Sequence, residues 1–279
     1  MNIITLTSDY GKKDFFISAI KGSILSELPD TNIIDISHEI IPFHLNECAY
    51  IVKNAYPNFP KNSVHIIAIN ENMQAEGAEK ANHNQYIAAY IDGHYFITAD
   101  SGVLSLIFPK HQPTEMVSIN ISGEYETELF PSKDVFVRAA CHILRGGKLS
   151  VLGQILTSFK SFTPHLPSEI NNGESLVGEV IYIDRFGNII TNIEKDFFTQ
   201  HKRERDFIIH LPRGNKVYKI NKTYSDVKES EIVILFNSSR LLEIAINRAD
   251  KNAKSGASTL LGIKEGDPIF INFLKKINY

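Results

Sequence analysis

A chain of 279 residues is long enough for two domains of ordinary size, each with its own hydrophobic core. With 43% hydrophobic and 22% charged residues it has a globular composition. Its net charge of −3, with both signs interspersed, argues against a nucleic-acid surface, and no apolar run is long enough to span a bilayer. The N-terminus shows no secretory leader, so we expect a cytoplasmic protein whose Cys48 and Cys141 are small, buried thiols.

Strands and helices alternate in the first half of the chain, as their hydrophobic periodicity predicts. The predicted strands are 3–7, 32–36, 64–69, 85–91 and 95–99, and the predicted helices are 15–28, 44–56 and 134–145. Asp92-Gly93 between the last two strands is a strong hairpin signal. This alternation predicts an α/β domain over residues 1–165 with a largely parallel sheet.

The second half contains short β-rich runs without long intervening helices. A connector over residues 148–175 contains two prolines and the turn cluster Asn171-Asn172-Gly173. The strands predicted after it are 177–184, 189–193, 207–211, 217–220, 232–236, 241–246 and 268–273. Strands this short and frequent predict a small antiparallel β-barrel domain over residues 166–279.

Polar residues follow the first predicted strand, in Thr7-Ser-Asp9-Tyr-Gly11 with Asp14 beyond it. Open α/β sheets bind ligands at the C-terminal ends of their strands, where a carboxylate can accept hydrogen bonds from two ribose hydroxyls. Asp9 could instead cap the turn that follows. In Asp35-Ile-Ser-His38-Glu-Ile-Ile-Pro-Phe43, Phe43 could face a flat or cationic ligand or pack in the core, and His38 could be catalytic or simply packed.

Three further segments have both a functional and a plain structural interpretation. Asp184-Arg-Phe-Gly-Asn188 could be a β-turn, or its Phe186 could stack on adenine while Asn188 pairs with the edge of the base. Arg240, between two strands, could be a solvated loop charge. In Phe130-Pro-Ser132-Lys-Asp134, Ser132 or Asp134 could be a helix N-cap.

The order of these segments resembles the S-adenosylmethionine (SAM) hydroxide adenosyltransferase family, which is related to fluorinating and chlorinating enzymes. The shared motifs are Thr7-Ser-Asp-Tyr-Gly11, Ile20-Lys-Gly22, Asp35-Ile-Ser-His38, Ala99-Asp-Ser-Gly102, Asp184-Arg-Phe-Gly-Asn188, Thr223-Tyr-Ser-Asp226 and Asn237-Ser-Ser-Arg-Leu-Leu-Glu-Ile-Ala245. The resemblance implies an N-terminal α/β domain, a C-terminal β-barrel and a homotrimer. It places an adenosyl ligand between the N-terminal domain of one subunit and the C-terminal domain of the next, and it implies no cofactor or metal.

The resemblance also implies roles for residues of the N-terminal half. Asp9 would hold the ribose hydroxyls, and Asp14 would approach the amino group of methionine. Phe43 would form a wall against the ribose and the sulfur. Phe130 and Ser132 match the Phe-x-Ser loop that binds halide in the halogenating branch.

In the C-terminal half the resemblance implies a binding site for the base. Phe186 and Tyr224 would sandwich adenine, while Asn188 and the Ser239–Arg240 backbone would read its edge. Asp184 would approach the methionine amino group.

The family's three catalytic positions differ in this chain. Hydroxide-using members carry an Asp where this chain has Asn70, an Arg shortly after it, and a His where this chain has Pro131. No Arg occurs in 70–84, where Lys80 is the only cation. The ionisable residues of this polar loop are Glu71, Glu76, Glu79, Lys80 and His83.

The halogenating branch also matches only in part. Its Tyr and Thr correspond to Asn70 and Met73, and its Thr before the Phe corresponds to Leu129. The connection 248–259 is longer than is usual in the family.

Three functions remain open from the sequence. The chain is an enzyme that cleaves SAM at the ribose 5′ carbon with water or a halide, a non-catalytic SAM or adenosine binding module, or a nucleic-acid-binding barrel, which the acidic charge disfavours. The resemblance favours the enzyme, with Asn70 and Ser132 placing the water or anion. Because Asn70 and Pro131 cannot titrate, we expect slow turnover that does not depend on a histidine titrating near neutral pH.

Overall fold

A computed structural model divides the chain into two compact units, residues 1–163 and 164–279. The boundary predicted from the sequence is residue 165. The residues that the structure describes are 2–71, 86–120, 129–163, 165–249 and 255–274.

Among the described residues of the N-terminal unit, seven strands form one sheet. They are β1 (Ile3–Ser8), β2 (Asn32–Ser37), β3 (Val64–Ala68), β4 (Tyr86–Ile91), β5 (His94–Ala99), β6 (Glu115–Ile119) and β7 (Gly153–Ile155). Their order in the sheet is β2-β1-β3-β5-β4-β6-β7. β2, β1, β3 and β5 are parallel, whereas β4, β6 and β7 join antiparallel. The sheet is therefore mixed, and the expected parallel arrangement holds for one half of it.

Helices with one apolar face pack against this sheet. They are α1 (Phe16–Glu27), α2 (Leu45–Ala55), α3 (Val103–Ile107) and α4 (Val137–Leu144), with 3₁₀ turns at Tyr56–Asn58 and Leu149–Val151. In α1 the buried residues Ile17, Ile20 and Ile24 recur at three- and four-residue spacing and face the core. The helix expected at 134–145 is preceded by a π-helical turn, Ser132–Phe136. Single π-helical turns are rare and occur frequently at functional sites.

The parallel strands bring three polar segments to one edge of the sheet. In the register of β1 with its two neighbours, Thr7 pairs with Ser37, and Ser8 pairs with Ala68. The residues that follow these strands, which include Asp9, His38 and Asn70, consequently leave the sheet at the same edge. This edge is where parallel α/β sheets bind their ligands.

The C-terminal unit is built on an antiparallel sheet that is nearly closed and barrel-like. Its described strands are β8 (Ser168–Ile170), β9 (Ser175–Ile183), β10 (Ile189–Glu194), β11 (Phe207–His210), β12 (Lys216–Val217), β13 (Ile232–Phe236), β14 (Leu241–Ile246) and β15 (Pro268–Phe273). Their order is β12-β11-β15-β9-β10-β14-β13, with β8 beside β9. An isolated bridge from Asn221 to Leu235 links the chain after β12 to β13.

Alternating residues of these strands point into one apolar core, whose largest members include Phe198, Phe207 and Phe273. Two short helices, α5 (Lys195–Lys202) and α6 (Ala257–Leu261), and 3₁₀ turns at Pro212–Gly214 and Tyr224–Asp226 complete the unit. Across the described parts of both units, every helix is too short or too polar to cross a bilayer.

Candidate functional site

His38 fixes the turn that carries Asp9. Its Nδ1 is 2.7 Å from the Ser8 hydroxyl, and its carbonyl accepts a hydrogen bond from the Gly11 N–H at 2.7 Å. The ring is 1% exposed, and its Nε2 lies 3.1 Å from an Asp35 oxygen. Of the two interpretations left open for His38, the structure shows the packed, hydrogen-bonded one.

Asp9 holds the segment that carries Phe43. The Phe43 N–H donates to Asp9 Oδ2 at 2.9 Å, and Phe43 has a φ of 66°, in the left-handed region. A bulky residue rarely adopts this conformation, and such strain is often found at binding sites. The ring of Phe43 is 69% exposed, so it is not a core residue. Because a carboxylate has about four acceptor sites, Asp9 can still accept ligand hydroxyls.

After β3, the chain turns sharply at Asn70 and buries the next side chain. Asn70 has a φ of 51°, which asparagine tolerates better than most residues. Glu71, which follows it, is only 6% exposed. The Tyr10 hydroxyl donates to Glu71 Oε2 at 2.8 Å, and the Ser132 backbone N–H donates to the same oxygen at 3.3 Å. Glu71 therefore joins the motif after β1 to the π-helical turn.

Ser132 does not cap a helix, although the sequence allowed that interpretation. Its hydroxyl is 2.9 Å from the Tyr10 hydroxyl, and no side-chain cap bond is present at this helix start. Tyr10 has one hydrogen and gives it to Glu71, so Ser132 must donate to Tyr10. The three side chains form a directed chain of hydrogen bonds that ends at Glu71.

Burial is the main cause of an altered acidity at Glu71. It raises the pKa of this carboxyl to about 7, assisted by the negative charge of Asp9 and opposed by the hydrogen bonds from Tyr10 and Ser132. Burial and the charge of Glu71 in turn raise the pKa of Tyr10, which stays a hydrogen-bond donor. Glu71 can thus gain or lose a proton near neutral pH.

Aromatic rings surround this chain of hydrogen bonds on one side. The ring centroids of Tyr10 and Phe130 lie 5.8 Å apart, and Phe16 lies 5.3 Å from Tyr10 and 5.4 Å from Phe130. Phe15 stacks on Phe16 and is largely exposed. Asp14, just before these two residues, is exposed in the turn that leads into α1.

In the C-terminal unit, Asp184 organises the loop between β9 and β10. Its Oδ1 accepts from the N–H groups of Phe186 and Asn188 at 2.8 and 2.9 Å, and its Oδ2 accepts from the Asn188 side-chain amide at 2.9 Å. Gly187, at a φ of 79°, packs its Cα side against Gly256, where a Cβ would lie only 3.0 Å from the Gly256 Cα. The loop presents the half-exposed ring of Phe186 next to the buried Asn188.

A second buried acid, Glu243 on β14, lies close to Asp184. The Tyr224 hydroxyl donates to Glu243 at 2.6 Å, and Tyr224 keeps 44% of its surface exposed. Burial raises the pKa of Glu243, the hydrogen bond from Tyr224 opposes this rise, and the charge of Asp184 adds to it. Glu243 pairs in register with Ile190, two residues after Asn188, so Tyr224 is held beside the strand that follows the Asp184 loop.

The turn between β13 and β14 uses the backbone donors that were expected to face adenine. The Ser239 N–H donates to Asn237 Oδ1 at 3.0 Å, and the Arg240 N–H donates to the Asn237 carbonyl at 2.9 Å. The Arg240 side chain forms an ion pair with Asp196 at 2.5 Å. In the Ser239–Arg240 backbone, the Ser239 carbonyl accepts no hydrogen bond from the described residues, so it is free to accept one from a base.

The order of these elements matches two family models. Residues 4–153 match the SAM hydroxide adenosyltransferase N-terminal domain, and residues 178–270 match the C-terminal domain of the same family. The chain belongs to this family.

Relatives of the SAM hydroxide adenosyltransferase family resemble the chain over nearly its whole length. A protein from Methanocaldococcus jannaschii named (R)-S-adenosyl-L-methionine hydrolase is 30% identical over 97% of this chain and 96% of its own length. A fluorinase from Actinopolyspora mzabensis is 24% identical over 92% of this chain and 95% of its own length. A crystal structure of an uncharacterised conserved protein from Thermotoga maritima has a TM-score of 0.82 at 27% identity, covering 97% of this chain and 99% of its own.

Most of the site residues expected from the family resemblance, together with Tyr10, Glu71 and Glu243, fall into two sets in the structure. The first, called the N-terminal half-site, is Asp9, Tyr10, Phe43, Asn70, Glu71, Phe130 and Ser132. The second, called the C-terminal half-site, is Asp184, Phe186, Asn188, Tyr224, Ser239, Arg240 and Glu243. Among the described residues, no cluster of three His, Cys, Asp or Glu side chains is arranged to hold a metal ion.

Three of these residues were quoted in motifs but given no role. Tyr10 stands inside the first motif, and Glu71 directly follows a strand end at the ligand-binding edge of the sheet. Glu243 is an acid inside an otherwise apolar strand, a pattern typical of a buried and partnered polar group. Met73, His83 and part of the 248–259 connection lie outside the described residues.

Proposed function

We propose that the protein is a SAM hydrolase, which displaces methionine from the ribose 5′ carbon with water to give adenosine and methionine. The observation that carries the choice of water is the position of Glu71, whose Oε2 already accepts the Ser132 N–H at 3.3 Å. The Phe130-Pro-Ser132 loop is the one that resembles the halide loop of halogenating relatives. In this chain a bound halide would have to displace the Glu71 carboxylate or bind beside it.

The negative charge of the Glu71 carboxylate disfavours the binding of a halide beside it. Two like charges in a buried site repel strongly, because the surrounding dielectric is low. Water, in contrast, can donate a hydrogen bond to a carboxylate that lies beside it. The N-terminal half-site therefore suits a neutral nucleophile.

The reaction requires alignment more than elaborate acid–base groups. A sulfonium is an excellent leaving group, so holding water in line with the C–S bond provides much of the rate acceleration. In the proposed complex Asp9 binds the ribose hydroxyls, Phe43 lies against the ribose and sulfur, and Asn70 and Ser132 help to place the water. Asp14 approaches the methionine amino group. No cofactor is needed for this displacement.

The C-terminal half-site would bind the rest of the ligand. Phe186 and Tyr224 lie on the two faces of adenine, and Asn188 and the Ser239–Arg240 turn read its edge. One amide hydrogen of Asn188 is given to Asp184, and its amide oxygen accepts no hydrogen bond from the described residues, so it can accept from the adenine amino group. Asp184 approaches the methionine amino group.

The decisive test is product analysis. On incubation of the purified protein with SAM, we expect adenosine and methionine in equal amounts, with no 5′-chloroadenosine even in molar chloride. Chromatography with mass detection identifies each product. A chlorinated product would contradict the choice of water, and tight binding of SAM without any product would favour the non-catalytic binding module.

We further propose a cyclic homotrimer in which the N-terminal half-site of one subunit meets the C-terminal half-site of the next. The exposure of aromatic rings in both units supports it. Each half-site alone carries exposed aromatic rings, Phe43 in one unit and the half-exposed Phe186 and Tyr224 in the other, and Phe15 is exposed in the same unit as Phe43. Exposed apolar groups beside polar residues mark surfaces that a ligand or partner covers. Cyclic symmetry would make all three sites equivalent.

The trimer predicts a mass of three times 31.4 kDa by light scattering. It also predicts that mixing an Asp9→Ala subunit with an Asn188→Ala subunit restores some complete sites, because each variant is defective in a different half. Titration of the mixture should recover a fraction of wild-type-affinity sites. A monomer that binds SAM with full affinity would contradict the proposal.

A further inference from the structure

Resting on the proposed hydrolysis, we propose that Glu71 is the catalytic base that takes the proton from the attacking water. The family's proton-accepting positions carry Asn70 and Pro131 in this chain. Glu71 follows Asn70 directly and lies against the loop that contains Pro131, through the Ser132 N–H. The Glu71 carboxylate thus lies beside the segments of Asn70 and Pro131, the two positions where this chain lacks the family's ionisable side chains.

The two oxygens of Glu71 have different surroundings. Oε2 accepts from both the Tyr10 hydroxyl and the Ser132 N–H. Oε1 is buried and has no hydrogen-bond partner in the described part of the chain. Leaving a buried carboxylate oxygen without a donor is costly, and such a group in a native protein requires an explanation. A water molecule in the ligand complex supplies the missing donor and stands beside a base.

Asp9 locates this oxygen relative to the substrate. The negative charges of Asp9 and Glu71 interact, and Tyr10, which is bonded to Glu71, is the next residue after Asp9. If Asp9 binds the ribose hydroxyls, the 5′ carbon on the same sugar ring lies within a few bonds of them. The same interaction places Glu71 near that sugar ring.

A lone pair of the water oxygen forms a bond to the 5′ carbon while the C–S bond breaks, and its electron pair stays on sulfur as the neutral thioether of methionine. One water proton moves to Glu71 Oε1. The products are adenosine, methionine and protonated Glu71, which returns its proton to solvent before the next turnover.

Among the described residues, the titratable groups that face Glu71 are Tyr10 and Asp9. Burial, with the charge of Asp9, raises the pKa of Glu71 to about 7, which matches a base working near neutral pH. The hydrogen bond from Tyr10 stabilises the ionised form and opposes that rise. Removing the Tyr10 hydroxyl should consequently move the pKa upward.

The test compares pH–rate profiles of the wild type with Glu71→Gln, Tyr10→Phe and a control away from the half-site, Glu27→Gln, which removes a partly exposed carboxylate that pairs with Arg145. In the wild type, kcat should rise with pH through an inflection near 7. In Glu71→Gln it should fall by about 10²–10⁴-fold and lose the inflection, while the Kd for SAM changes only a few-fold. In Tyr10→Phe the inflection should move to higher pH. Glu27→Gln should behave like the wild type.

The possible outcomes distinguish the proposed role of Glu71 from the proposed hydrolysis of SAM. A wild type that turns over, together with a Glu71→Gln variant of equal kcat and unchanged inflection, would overturn the role of Glu71 and leave the hydrolase proposal standing. A wild type that binds SAM without product at any pH would overturn both. Calorimetric binding of SAM to Glu71→Gln shows that this variant is folded, and Tyr10→Phe tests the same base through a milder change.

Discussion

Asp184→Ala is expected to weaken SAM binding by more than any other single substitution in the C-terminal half-site, by at least roughly 3 kcal/mol. The reason is that Asp184 accepts three hydrogen bonds, which hold both the Phe186 ring and the Asn188 amide in place. Its removal leaves those donors unpaired and also removes the proposed contact with the methionine amino group. Isothermal titration calorimetry with SAM measures the loss.

Matched variants distinguish the loss of the loop that Asp184 organises from the loss of a single contact with the ligand. Asn188→Ala and Asp9→Ala should each weaken binding by only about 1–3 kcal/mol, the usual result of leaving one buried partner unpaired. Glu229→Ala, which removes an exposed carboxylate paired with Arg248 in the same unit, should leave the affinity unchanged. If Asp184→Ala bound SAM as tightly as Glu229→Ala, the loop between β9 and β10 would not be part of the ligand site.

The order of most helices and strands could be predicted from the sequence, because local hydrophobic patterns determine it. The apolar run at 64–69 and the three-to-four spacing in α1 reflect burial on two faces and on one face, and the structure shows both. The direction of strand pairing was less accessible. The hairpin signal at Asp92-Gly93 predicted the antiparallel pair of β4 and β5, but β6 and β7, which extend the antiparallel part of the sheet beyond β4, were not among the predicted strands. A strand pattern alone does not state which neighbour it joins, so the sheet was expected to be more parallel than it is.

The geometry of the site was most predictable where a residue's hydrogen-bond partners lie in its own motif. Asp184, Phe186 and Asn188 are within five positions of one another, and their turn follows from the short side chain of an aspartate. Glu71 has partners 61 positions away in both directions, Tyr10 and Ser132. Nothing local marks such a residue as buried, and a glutamate in a polar loop is ordinarily solvated. Only the tertiary structure shows that Glu71 is buried and hydrogen-bonded.

Glu71 adds a titrating group to the pH dependence expected from the sequence. Because Asn70 and Pro131 cannot titrate, the sequence predicts no histidine-dependent profile, and this stays a prediction. His38 is buried and hydrogen-bonded, and His44 caps α2. However, a carboxyl group with a pKa near 7 can produce the same inflection that a histidine would. A neutral inflection would therefore not by itself identify a histidine.

The second large effect concerns Glu71→Gln and the free energy of unfolding. The substitution is expected to lower turnover but to raise stability at neutral and higher pH. Burial gives Glu71 a pKa of about 7 in the folded state against an ordinary value of 4.5. Between those values the unfolded chain is ionised while the folded protein keeps its proton, so the folded state binds more protons and loses stability as the pH rises. A rise of about 2.5 pKa units corresponds to roughly 3 kcal/mol, present below pH 4.5 and lost by about pH 7.

Glu71→Gln cannot ionise and so escapes this loss. We expect the variant and the wild type to have similar free energies of unfolding near pH 4.5, and the variant to be more stable by up to about 3 kcal/mol at pH 8. Urea denaturation at several pH values, with Glu27→Gln as the matched control, measures the difference. A difference that stays constant from pH 4.5 to 8 would show that Glu71 is not a buried acid with a raised pKa. A base retained at such a cost to the fold is the expected trade of stability for activity at a catalytic group.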